Sequence, residues 1–252
     1  MKIYSIEKST KNFVNNSEIF VIEPLESGQG ITIGNTLRRI LLSELYGFSI
    51  INAQINNVFH EFDQPKFLRE DITEILLNLK EIIIKPTISF FKNVCQKQIN
   101  YKILTKVKGP VILTAGMLNI PNQLKIINPS QYICTIVDDS ELELILTIKY
   151  DKAYQLANNL KKAIFSEKSF IKEGFNIDID ASFTPIKKVN YKVKIIHDIK
   201  GNLKESLFIE IITNGTITPK RAFLQSLNYI LKIFYPILYL NLKSEKLKNF
   251  FK

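Results

Sequence analysis

Apolar positions along this chain change period several times, and each change marks a predicted element. Ser17 to Glu26 reads as extended, apolar at Ile19, Val21 and Leu25, and the pattern predicts a strand stopped by Pro24 and the Gly28/Gly30 pair. A helical period follows in TIGNTLRRILLSELYG, with Thr32 suited to the N-cap and Gly47 to the position just past the C-terminus. Leu37, Ile40, Leu41, Glu44 and Leu45 share one side of that helix, while Arg39, Leu42 and Ser43 share the other. The first side is a core face. The second pairs a cation with a Leu, which suits either a protein contact or an ordinary surface.

From Ser49 the pattern alternates, and IINAQINNVFHEF predicts a strand running into a turn that contains Asp63, Gln64 and Pro65. Ile72, Ile75, Leu76 and Leu79 then recur at helical spacing and predict an amphipathic helix. EIIIKP, INYKILTKV and SELELILTIKY read as strands separated by turns at Gly109-Pro110, Asn128-Pro129 and Asp138-Asp139. Alternation resumes in KKVNYKVKII and SLFIEIIT, after which Thr218 as N-cap and Pro219 as first residue launch a second long helix.

The order strand, helix, β-rich block, strands, helix predicts an α+β fold in which both ends of the chain build one domain and the middle is an insertion. The expected boundaries are 1–47 plus 183–252 for the discontinuous domain and 48–182 for the inserted β-rich domain. The second helix is apolar on nearly all sides around Phe223, Leu224, Leu227, Ile230, Leu231, Ile233 and Phe234. A monomer would expose that surplus, which implies either helix packing between copies or a contact with a different protein. A membrane span over Ala222 to Leu242 is disfavoured by Gln225, Asn228 and the central Lys232.

Composition changes this picture little. The formal charge of +10 invites a nucleic-acid reading, but the basic residues are spread along the chain and only four are Arg: Arg38, Arg39, Arg69 and Arg221. Enrichment in Lys, Ile, Asn and Phe without Trp is what A+T-rich codons produce. Cys95 and Cys134 form no CxxC motif, and His60 and His197 are the only histidines, so no local motif supplies a zinc site. No secretory leader or Arg-rich transit segment is visible, so the expectation is a protein that works in a reducing compartment where it is made.

Catalytic patterns are missing as well. Gly28 to Asn35 (GQGITIGN) has the look of a phosphate loop but lacks the GxGxxG spacing and the Lys-Ser/Thr that would follow. His60 and His197 have no nucleophile elbow to serve. Glu70, Asp71 and Glu74 are better explained as charges at a helix N-terminus than as metal ligands.

Several long strings together resemble the alpha subunit of bacterial and plastid RNA polymerase. They are EPLESGQGITIGNTLRRILL from Glu23, VFHEF from Val58, EDITEILLNLK from Glu70, Gly109-Pro110, INPSQYIC from Ile127, FTPIKKVNYKV from Phe183 and TNGTITP from Thr213, in the family's order. The resemblance implies a non-catalytic assembly subunit, without cofactor or metal, that forms a homodimer and recruits the beta and beta-prime subunits. DNA would be met only through the whole complex. By family motif, the beta-facing set is Arg39, Leu42, His60, Glu61, Phe62 and Glu74. Arg39 would make a bidentate contact that Lys reproduces poorly. The beta-prime-facing candidates are Lys80 and the stretch Ile179 to Ile186, with Asp180 within it. The implied dimer interface uses Leu37, Ile40, Leu41, Phe223, Leu227, Ile230, Leu231 and Phe234.

The chain also departs from the family pattern. Around Asp151 to Tyr154 the family usually has a glycine-containing, more basic turn, and Lys187-Lys188 stands where Arg is frequent. Typical members continue into a small DNA-binding domain, whereas here SEKLKNFFK follows the last helix, so upstream-element recognition is expected to be absent or handled elsewhere. A+T-rich composition with a short alpha subunit implies a reduced plastid, or alternatively an A+T-rich bacterial cytoplasm.

Overall fold

Segments from opposite ends of the sequence share one antiparallel sheet. The computed structural model describes residues 2–11, 15–87, 99–157, 175–197 and 201–250, with side chains described except at 7–11, 15 and 239–250. Cys95 lies outside the described residues. Strands β1 (Lys2–Lys11), β2 (Asn15–Leu25), β13 (Ile186–His197) and β14 (Leu203–Thr213) lie in the order β1-β2-β14-β13. Phe20 is opposite Ile209 and Ile22 opposite Leu207.

One face of this sheet is covered by helices α1 (Gln29–Ser43) and α3 (Pro219–Phe250). Phe20, Ile22, Leu37, Leu41, Leu207, Ile209, Ala222 and Phe223 close a core between them. The rings of Phe20 and Phe223 stack with centroids 4.8 Å apart, tying β2 to the second turn of α3. Thr218 caps that helix as its sequence predicts, accepting a hydrogen bond from the Arg221 N–H at 3.4 Å, with Pro219 first. No helix among the described residues is long and apolar enough to cross a membrane.

The middle of the chain folds around β3 (Tyr46–Ile55), which is buried from Phe48 to Ile55. A six-stranded sheet runs β5-β9-β3-β4-β7, with β11 added on β3: β4 (Ile84–Pro86), β5 (Asn100–Lys108), β7 (Leu124–Ile126), β9 (Glu141–Lys152) and β11 (Asn176–Asp178). The pairs β6 (Val111–Thr114) with β8 (Tyr132–Ile136), and β10 (Tyr154–Gln155) with β12 (Ala181–Ser182), complete the strands. Helix α2 (Ile72–Lys80) buries Ile72, Ile75 and Leu79, three of the four residues its spacing picks out, with Leu76 packed at the edge. A second core, separate from that of α1 and α3, runs from Phe48 through Ile179. The molecule is thus α+β with a β-rich middle.

Four boundaries differ from their sequence expectations. Strand β2 passes through Pro24 to Leu25 instead of stopping. Pro24 lies in a register shift between the Ile22/Leu207 and Leu25/Glu205 pairs, where no ladder N–H is demanded of it. Helix α1 begins at Gln29, not after Thr32, because Glu205 on β14 accepts the N–H groups of Gly28 and Gly30, each at 2.8 Å. Gly28 takes the left-handed φ of 85° there, and a Cβ on Gly30 would lie 2.8 Å from that carboxylate.

Gly47 does not end α1, which finishes at Ser43 with Glu44 as its C-cap. It lies inside β3, where a Cβ would fall 2.1 Å from the Phe183 carbonyl oxygen. The glycine is required by the close approach of the backbone just past β12 and not by a helix end. Val58 to Phe62 is likewise a turn and not a strand, because β3 ends at Ile55 and Asn57 takes a φ of 59°.

Candidate assembly interfaces

Helix α1 offers its outer side to solvent as its periodicity predicts. Leu37, Ile40, Leu41 and Leu45 are buried, Arg39 and Ser43 are exposed and Leu42 is half-buried. Arg38, its neighbour, is used internally, its guanidinium donating to the Val189 carbonyl. The two adjacent arginines therefore differ in role. Arg38 anchors the helix to β13, while Arg39 is left with an exposed planar donor array suited to a carboxylate.

The turn after β3 is drawn tight by one carboxylate. Asp63 accepts the N–H groups of Phe59 at 2.6 Å and His60 at 3.1 Å, and its other oxygen lies 2.8 Å from His60 Nε2. The Phe59 N–H first, then that of His60 and the imidazole, hold the Asp63 carboxyl below its usual range. Val58 is fully buried beneath, so the turn is fixed to the core. At its tip Phe59 and Phe62 are 73% and 74% exposed, with His60 and Glu61 beside them. Phe62 is legible in the sequence motif. Phe59 is missed because continuing the strand alternation hides that Asn57 reverses the chain.

Of the three acidic residues near α2, Asp71 and Glu74 are exposed. Glu70 is turned inward, accepting the Thr135 N–H at 2.7 Å and the Tyr132 hydroxyl, and so fastens the start of α2 to β8. Asp71 is the N-cap residue and Glu74 the acidic group of the first turn. Glu74 lines an open hollow with Arg69, Leu77 and Ile112, the last two being large apolar side chains left in solvent. None of Arg39, Leu42 or the 59–62 turn lines that hollow.

Lys80, at the end of α2, and Asp180, between β11 and β12, are brought together by Tyr154. The Tyr154 hydroxyl donates to Asp180 Oδ2 at 2.9 Å, and the Lys80 ammonium lies 3.4 Å from the phenol oxygen and 5.3 Å from the ring centroid. The Ala157 N–H, then the Tyr154 hydroxyl and Lys80, hold the Asp180 carboxyl below its usual range. Ile186 lines a hollow shared with Lys80, Ser182 and Lys187. Ile179 and Ile186 are themselves buried, Ile179 donating its N–H to the Ile51 carbonyl at 2.8 Å. These two isoleucines position backbone and do not offer side chains.

The long helices separate the dimer candidates into two groups. Leu37, Ile40, Leu41 and Phe223 are buried within the chain's own core, so their side chains are already spent. Leu227 and Ile230 are partly buried against that core. Leu231 and Phe234 are 63% and 60% exposed, and Leu224, Ile233, Ile237 and Leu238 are exposed with them. Periodicity shows that α3 is over-apolar but not which side its own sheet covers.

Among the described residues no group of three His, Cys, Asp or Glu side chains is placed to hold a metal ion. The anion site that the glycines create at the start of α1 is filled by the Glu205 carboxylate, which removes the phosphate-loop reading. Cys134 is buried, and burial pushes its thiol up to about 12, away from nucleophilic use.

Residues 53–184 match the family model described as the RNA polymerase Rpb3/RpoA insert domain, which places the β-rich middle in that class. Relatives over nearly the whole chain carry the name DNA-directed RNA polymerase subunit alpha. One from Rhodomonas salina is 37% identical over 246 residues, covering 97% of this chain and 73% of the relative. One from Thalassiosira pseudonana is 41% identical over 221 residues, covering 86% and 64%, and one from Emiliania huxleyi is 38% identical over 253 residues, covering 100% and 70%. The chain belongs to the alpha-subunit family of DNA-directed RNA polymerase, a non-catalytic part of a nucleotidyltransferase complex. The reading of a stand-alone basic nucleic-acid-binding protein is not favoured.

Proposed function

We propose that this chain is the assembly platform of its polymerase: two copies pair through their long helices, and the pair recruits the beta and beta-prime subunits. The observation that carries this reading is the outer side of α3, where Leu231, Phe234, Ile237 and Leu238 stay in solvent although both cores are closed. A contiguous apolar face of that kind calls for a partner, and a second copy supplies the same face by two-fold symmetry. The discontinuous domain of 1–47 plus 183–252 would be the dimerisation unit, a reading supported by the sheet that takes strands from both segments. Leu231 and Phe234 would make the contact, Leu227 and Ile230 its margin, and Leu37, Ile40, Leu41 and Phe223 the packing behind it.

The beta subunit is assigned Arg39 and Leu42 on α1, the His60, Glu61 and Phe62 turn, and Glu74 on α2. The beta-prime subunit is assigned Lys80 and Asp180, backed by Ile179 and Ile186. DNA is met through the complete complex. The algal origin of the relatives supports a plastid location.

The test is co-purification from cells expressing tagged full chain with the two large subunits, together with sedimentation of the chain alone. The expected result is recovery of both subunits and a dimer mass. Leu231→Ser with Phe234→Ser yields a folded monomer, and Arg39→Ala loses beta while remaining dimeric. A monomeric wild-type chain at micromolar concentration, or no large subunit recovered, overturns the reading.

A further inference from the structure

Lys80 and Asp180 carry opposite charges on one exposed surface, yet they form no direct ion pair; the Tyr154 phenol stands between them. Its placement is built by the backbone. Tyr154 pairs with Ser182 in the β10/β12 ladder, and the Phe183 N–H donates to the Ala153 carbonyl at 2.9 Å. Ala153 takes a left-handed φ of 62°, which turns the chain out of β9 and aims Tyr154 at the end of α2. Asp180 is fixed from its other side by the Ala157 N–H at 2.9 Å on Oδ1. Three separate elements thus converge on one half-exposed ring.

We propose that Tyr154 is a positioning residue of the beta-prime surface: its ring and hydroxyl hold the Lys80 ammonium beside the Asp180 carboxylate, so that a partner meets a preset charge pattern. This rests on the assignment of Lys80 and Asp180 to beta-prime given above. A free lysine keeps a flexible four-carbon stem, and ordering it on binding opposes association. A cation anchored on the Tyr154 hydroxyl and lying 5.3 Å from its ring centroid has lost much of that freedom beforehand. Because the phenol and not a carboxylate is the ammonium's direct neighbour, Asp180 offsets its charge only in part, and the remainder suits an acidic side chain of the partner. The exposed ring adds an amphipathic surface of the kind enriched at the centre of protein contacts.

The experiment is capture of beta-prime by the complex of full chain with beta, titrated at fixed salt, with self-association, beta capture and Tm measured in parallel. Tyr154→Ala is expected to weaken beta-prime capture about tenfold, the equivalent of one cation–aromatic contact on a desolvated surface. Dimer mass and beta capture stay as in the wild type. Tyr154→Phe, which keeps the ring and fold but loses the hydroxyl, is expected to fall between. Tyr154→Trp restores capture where Tyr154→Leu does not, a difference that a merely space-filling role would not give. Wild-type capture by both Tyr154→Ala and Tyr154→Phe, while Lys80→Ala loses capture, overturns this inference alone. If Lys80→Ala and Asp180→Asn also capture normally, the assignment of this surface to beta-prime falls with it.

Discussion

Glu44 at the end of α1 accepts a hydrogen bond from the Lys152 ammonium at the end of β9 with a separation of 2.6 Å, joining the terminal sheet-and-helix unit to the β-rich middle. The Lys152 bond, then one from Tyr229 on α3, holds the Glu44 carboxyl below the usual carboxylate range. A carboxylate with a depressed folded pKa contributes stability in full above its unfolded value and loses it as pH falls through the folded one. The Tm difference between the wild type and Glu44→Gln is therefore expected to be constant above about pH 5 and to shrink steadily below it. A difference that grows on acidification would contradict this arrangement.

Glu205 governs where α1 begins. Glu205→Ala removes two charge-assisted bonds to the first N–H groups of the helix and is expected to cost about 2 to 3 kcal/mol in denaturant unfolding. Glu205→Gln keeps an acceptor without the charge and should lose about half as much. Amide exchange at Gly30 and the following turn should quicken in both, and unaltered exchange would show that the cap is not needed.

Ala153→Gly tests the turn before Tyr154. A left-handed alanine costs about 1 to 2 kcal/mol, and the added freedom of glycine in the unfolded chain returns about 0.4 to 1 of that. The strain is the larger quantity, so the variant should be more stable by about 0.5 to 1 kcal/mol. Thermal unfolding read by circular dichroism checks the sign; a lower Tm would mean that the alanine methyl makes compensating contacts.

Which of these features the sequence discloses follows from how local each one is. The buried side of α1, the apolar positions of α2 and the Thr218-Pro219 start of α3 are periodic or capping signals contained within a few turns, and the structure follows them. Gly47 is different, because the atom it must avoid belongs to Phe183. Glu205 is a surface-type residue in an alternating strand until β14 lies beside β2 and reaches the two glycines. Tyr154 is recognisable only once Lys80 and Asp180, from two other elements, converge on it. The division of the dimer candidates is a question of the same kind. Leu37 and Leu231 are both leucines on over-apolar helices, and only the position of the sheet makes the first a core residue and leaves the second outside.

The sheet that pairs β2 with β14 also sets a timetable for synthesis on the ribosome. β2 and α1 emerge early, but the strand that completes their hydrogen bonds, and the Glu205 that caps α1, follow about 180 residues later, a delay on the order of 10 to 40 s at ordinary elongation rates. The middle unit has its own closed core and can fold within that interval. Until β14 arrives, the nascent chain holds an unpaired β2 edge and the bare apolar side of α1, which makes these early segments natural clients for a chaperone.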